Sequence, residues 1–158
     1  TRLQGDWSSD VCSSDLETTL IYETVMIPAV DPAFGRLREL RPLLLKSHRI
    51  LMEAEKDHYE AIYAPIATKG EYLHLVLHHE QFSWLRPISQ LIVQIDEVLM
   101  AKQPQAIERA TELIGQTRYL LQATEIGEAF QSRSQRSAQS NPEMAMLIIK
   151  LTELLQDD

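Results

Sequence analysis

Five residues in the middle of the chain, Glu55, His58, Glu71, His74 and His78, are of the types that hold metal ions or move protons. The quartets Glu55-Lys56-Asp57-His58 and Glu71-Tyr72-Leu73-His74 each place a carboxylate and an imidazole at i, i+3. On a helix this spacing brings them onto one face. His78 follows His74 at i+4, so Glu71, His74 and His78 form a triplet of donors suited to zinc or another divalent transition metal. His74 is followed by Leu75 rather than by the Glu that a zinc-protease helix uses as its base, so the triplet does not imply proteolysis. His78 and His79 are adjacent and must point to different faces.

These residues belong to two consecutive helical stretches, and the first contains an oddity. Over 42–63, Lys46, Arg49, Glu53, Lys56, Asp57 and Glu60 fall on one arc, while Leu44, Leu51 and Ile62 centre the opposite one. Ser47, His48, Glu55 and His58 fall on the apolar side. An unpaired buried carboxylate costs several kcal/mol, so Glu55 must meet a cation, a metal ion or hydrogen-bond donors, or stay protonated. Two readings stand side by side: a satisfied Glu55–His58 polar pair at the edge of a bundle, or a ligand site.

The paired Glu-x-x-His quartets resemble the motif with which ferritin-like bundles hold two irons. That resemblance implies inward carboxylates on two further helices. The fourth and fifth helical stretches offer aliphatic stripes instead, with Asp96 at the edge of one face and Glu97 outside it. Other signatures are missing: there is no Gly-x-Ser-x-Gly elbow, phosphate loop or dinucleotide fingerprint. Phe82, Trp84, Leu85, Arg86 and Pro87 form the densest aromatic cluster, suited to a core or to a partner surface. Arg133 and Arg136 sit among serines and are too few for a nucleic-acid patch.

The elements that position these residues can be read from periodicity and breakers. Asp31-Pro32 starts a helix, and Pro42 divides it into a short piece over 32–40 and a longer one over about 42–63, kinked or joined at Arg41. Thr68-Lys69-Gly70 is a break; a third helix covers 71–85, and a fourth runs from Pro87 to Ala101 with Ile88, Leu91, Ile92, Ile95, Val98 and Leu99 on one arc. A fifth follows Pro104, with Ile107, Ala110, Ile114, Thr117 and Leu121 in line. Residues 131–140 lack any large apolar side chain and read as a solvated linker or a polar helix end. Asn141-Pro142 restarts a helix whose stripe, Met144, Leu147, Ile148, Leu151 and Leu155, must be covered by the bundle or by a partner. The expected fold is all-α: an antiparallel helical bundle of four to five helices with short loops.

The chain has 158 residues, 24% of them charged, with a net charge of -8. This composition fits one soluble domain and disfavours nucleic acid or anionic lipid as a partner. Residues 5–16, Gly-Asp-Trp-Ser-Ser-Asp-Val-Cys-Ser-Ser-Asp-Leu, can be encoded by codons that resemble a short-read sequencing adapter. On that reading 1–16 is a non-native tail, 17–30 is a lead-in with Met26 as a candidate start, and 31–155 is the single helical domain. Cys12, the one cysteine, goes with the tail, and the absence of thiol chemistry from the rest suits a reducing compartment.

The stretch from Leu43-Leu44-Leu45-Lys46-Ser47-His48 through Tyr59-Glu60, then Phe82-Ser83-Trp84-Leu85-Arg86-Pro87-Ile88-Ser89 and Ile95-Asp96-Glu97, resembles small bacterial helical-bundle proteins. The resemblance implies a bacterial cytoplasmic setting and carries over no catalytic residue. The expectation for function is a non-enzymatic protein-interaction module without a cofactor, a homo-oligomer or a binder of another protein through the C-terminal helix, with no nucleic-acid or membrane partner. The alternative is a metal-binding bundle, ferritin-like or mononuclear, that uses the Glu and His residues of two adjacent helices.

Overall fold

A computed structural model of the protein describes residues 31–101, 106–122 and 125–156. The expected tail, the lead-in and Pro104 lie outside them. Six α-helices follow one another among the described residues: α1 (Pro32–Ile62), α2 (Lys69–His78), α3 (Arg86–Met100), α4 (Ala106–Leu121), α5 (Glu125–Ser140) and α6 (Pro142–Gln156). A 3₁₀ segment, Glu80–Leu85, joins α2 to α3. The fold is all-α, as expected, and no helix among the described residues is long and apolar enough to cross a membrane.

Asp31 caps α1, its side chain accepting from the Ala33 N–H at 2.9 Å, and Pro32 occupies the first turn. The expected division at Arg41 does not occur: α1 runs unbroken through Pro42. Proline cannot donate to the carbonyl four residues back, that of Arg38, and both residues are exposed, so water can take the vacant acceptor. On the opposite face Leu37, Leu40, Leu44 and Leu51 are buried, and their packing holds the helix together across the missing bond.

The third helix ends earlier than expected. His79 adopts an extended conformation after α2, and its Nδ1 accepts from the Gln81 N–H at 3.2 Å, capping the 3₁₀ segment. That segment buries Phe82 and Leu85. Helix α3 then buries Ile88, Leu91, Ile92, Ile95 and Val98, with Leu99 packed beside them, and contacts both α1 and α4. It runs antiparallel to α1, because Arg41 meets Asp96 and His48 meets Ser89 while Glu55 meets Trp84 just ahead of α3.

Helix α4 buries Ala110, Leu113, Ile114, Thr117 and Leu120. Ala110, Ile114 and Thr117 are buried as expected, but at the two ends of the stripe Ile107 is exposed and Leu121 half-buried, while Leu113 and Leu120 complete the arc. Of the two expectations for 131–140, the helix end holds and the solvated linker does not: the stretch forms the last ten residues of α5. Gly127, Phe130, Ser134 and Ser137 form its buried stripe, where small side chains let the helix pack closely between α4 and α6. In α6, Met144, Leu147, Leu151 and Leu155 are buried against the rest of the chain, chiefly α1 and α5, and Ile148 is half-buried. This face is thus covered within the fold and is closed to the partner expected there.

Candidate functional site

The chemistry of the molecule collects along one line of α1. Arg41, His48 and Glu55 are spaced by seven residues, which keeps them on one face, and each meets a polar group of the elements packed against it. At one end the Arg41 guanidinium holds the Asp96 carboxylate through Nε and Nη2, the second contact at 3.1 Å. Their hydrogen bond lowers the Asp96 pKa and raises that of Arg41. In the middle, His48 Nε2 lies 2.8 Å from Ser89 Oγ. The Ser89 hydroxyl donates to the Leu85 carbonyl at 3.1 Å, so the imidazole donates its Nε2–H to Oγ. Burial pushes the His48 pKa down, which favours this neutral form.

Glu55 stands at the far end and is 5% exposed. Its Oε2 accepts from Trp84 Nε1 at 3.2 Å and from Arg133 Nη1, and the Arg133 guanidinium lies over the Trp84 ring, 4.9 Å from its centroid. The second oxygen, Oε1, is inaccessible to water, and His58 Nδ1 approaches it to 3.5 Å. Gln81 Nε2 is in turn 3.2 Å from His58 Nδ1. Burial acts to raise the Glu55 pKa, but hydrogen bonding and charge from Arg133, followed by Gln81 and His58, outweigh it and leave the carboxyl below its ordinary value. Glu55 is a fixed anion in a structural ion pair, a poor proton donor or acceptor near neutral pH.

Beside this pair is a cavity of about 200 Å³, lined by Leu51, Ala54, Glu55, His58, Trp84, Arg133, Arg136, Ser137 and Ser140. Three elements build it: α1, the 3₁₀ segment and α5.

The candidate polar cluster of Ser47, His48, Glu55 and His58 is thus divided. Glu55 and His58 are together, His48 belongs to Ser89, and Ser47 is wholly buried with no hydrogen-bond partner for its hydroxyl among the described residues. The five candidate metal ligands do not converge. Helix α2 turns Tyr72, Leu75 and Val76 toward the bundle, with the Tyr72 hydroxyl donating to the Met52 carbonyl at 3.1 Å. His74 and His78 consequently face outward, their rings 4.7 Å apart. Glu71 accepts from the Ala67 N–H at 3.0 Å while Thr68 Oγ1 accepts from the Glu71 N–H, so its carboxylate serves the start of α2. Among the described residues no three His, Cys, Asp or Glu gather to hold a metal ion.

Sequence reasoning missed Arg133, Trp84 and Gln81 as the partners of Glu55 and His58. For Arg133 a signal was present: Gly127, Phe130, Ser134 and Ser137 recur at helical spacing, with small residues in place of aliphatic ones. His79 was also missed. Its ring stands edge-on to Tyr59 at 5.1 Å and to Tyr63 at 5.7 Å.

Fold and site together define an all-α bundle in which a buried glutamate pairs with a half-buried arginine beside a small cavity of mixed polar and apolar lining. No family model, curated protein or solved structure matches the chain.

Proposed function

We propose that this protein is a non-enzymatic interaction module that pairs with a second copy of itself through α2. One observation carries the reading: α2 has no buried residue, and it holds Leu73 and Leu77, one helical turn apart, 59% and 53% exposed. A ten-residue helix is marginal in water on its own account. Here the backbone is anchored, since the Leu77 carbonyl accepts from Arg86 Nη2 at 2.7 Å, while the two leucine side chains stay outside.

The charges flanking the leucines favour a two-fold partner. If two α2 helices lie antiparallel about a centre near Leu75, Leu73 of each copy faces Leu77 of the other, and Lys69 comes near Glu80. Oligomeric state measured by light scattering over a concentration series tests this. The parent should form a dimer, and the double variant Leu73→Glu, Leu77→Glu should be a monomer that keeps its helix content and unfolds cooperatively, since neither side chain is in the core. A parent that remains monomeric at every accessible concentration, or a double variant that still dimerises, ends the proposal.

A further inference from the structure

We propose that the cavity beside Glu55 binds a small oxyanion, a phosphate or carboxylate group on a compact organic molecule, through the guanidinium groups of Arg133 and Arg136. The two arginines are at i, i+3 on α5 and both line the cavity. Glu55 is the one acid in that lining, and Arg133 Nη1 already neutralises it. Among the described residues, the Nε and Nη2 donors of Arg133 make no hydrogen bond, and Arg136 has neither an ion-pair nor a hydrogen-bond partner. A guanidinium offers five N–H donors in a fork that matches an oxyanion, so one bond to Glu55 leaves Arg133 with capacity to spare.

The remaining wall fits the same class of ligand. Ser137 and Ser140 bring hydroxyl groups, His58 an imidazole, and Leu51 and Trp84 an apolar surface for a short carbon skeleton. A volume of about 200 Å³ admits a compact anion such as phosphate or a short dicarboxylate. Ser140 is the last residue of α5, and a helix C-terminus repels anions, so the attraction must come from the two guanidinium groups. Glu55 sets up the site: by fixing Nη1 and seating Arg133 on Trp84, it orients the remaining donors before any ligand arrives. This cavity is distinct from the outward face of α2, so the two proposals stand or fall separately.

Trp84 supplies the readout. In a Trp7→Phe background it is the single indole of the chain. Inorganic phosphate and succinate are titrated against sodium chloride of matched ionic strength, following Trp84 emission and unfolding temperature. Saturation by phosphate identifies a phosphoryl ligand, and saturation by succinate alone identifies a carboxylate. Arg136→Gln, which leaves the Glu55 pair intact, should weaken binding about tenfold or more. Ser140→Asp, which sets a negative charge in the cavity wall, should do the same. The proposal is overturned if neither anion saturates, or if both variants titrate as the parent does.

Discussion

Replacing Arg133 by Met tests whether Glu55 is held by its cation. Methionine keeps most of the aliphatic length and removes the charge, leaving Trp84 Nε1 as the remaining close donor to Oε2. A hydrogen bond to a charged group contributes about 1.5–3 kcal/mol, and the cation–π contact about 0.5–1 kcal/mol more. Stripping one partner from a fully buried pair costs about 3–5 kcal/mol; the Arg133 side chain is 34% exposed, which moves the expectation to about 2–4 kcal/mol. At about 3 °C per kcal/mol for a chain of this size, the unfolding temperature at pH 7 should fall by about 6–12 °C.

The pH dependence separates this cause from simple loss of packing. In the parent the folded Glu55 pKa lies below its unfolded value of 4.5, so the stability gained from the pair is present above 4.5 and lost as the pH falls through the folded value. In Arg133→Met, burial dominates and the folded pKa rises above 4.5, so protonation relieves the lone anion. The gap between parent and variant should therefore narrow as the pH is lowered from 7 toward 4.5. Adding Glu55→Gln, which removes the anion as well, should recover part of the loss. Thermal denaturation across that range decides the matter. A shift of less than about 2 °C at pH 7, or a gap that does not change with pH, refutes the reasoning.

Ile95 is fully buried on α3, and Ile95→Asp should cost about 4 kcal/mol in chemical denaturation by placing a carboxylate among aliphatic neighbours. Pro42→Ala restores an N–H to the exposed Arg38 carbonyl and, after the greater freedom of the unfolded chain is deducted, should raise the unfolding temperature by about 3–6 °C. The folded pKa of His48 lies below its ordinary 6.5, so its contribution is present above 6.5 and lost as the pH falls below it. His48→Gln should accordingly flatten the stability profile just below pH 6.5. Asp96→Asn should cost less than about 1 kcal/mol, because the Arg41 pair it breaks is open to solvent.

The parts of this molecule that were legible in the sequence are those in which one residue type repeats at one period. The stripe on α3 and the leucines of α1 are of this kind, and so is the misplaced polarity of His48 and Glu55 on an apolar face. What was not legible depends on contacts between distant segments. Pro42 reads as a break because its local cost is large, whereas the leucines packed across it are fixed by other helices. Arg133 is 78 residues from Glu55, and the helix that delivers it is patterned with serine and glycine, which carry no hydropathy signal. The α6 stripe was legible as apolar, but the sequence could not say that the protein's own helices cover it.

Leu37, Leu44 and Leu51 repeat the same residue at the same seven-residue interval as Arg41, His48 and Glu55. For the leucines alone, sliding α1 along α3 by two turns would exchange one leucine for another, a displacement the core would scarcely register. The polar partners tell the two alignments apart. A slip one way would set Arg41 against Ser89 and His48 against the Trp84 indole, leaving Glu55 without a counterpart; a slip the other way would set His48 against Asp96 and Glu55 against Ser89, leaving Arg41 without one. Three chemically different pairs on an otherwise uniform track work like the teeth of a key: they add little net stability, but they make one alignment of the helices the right one.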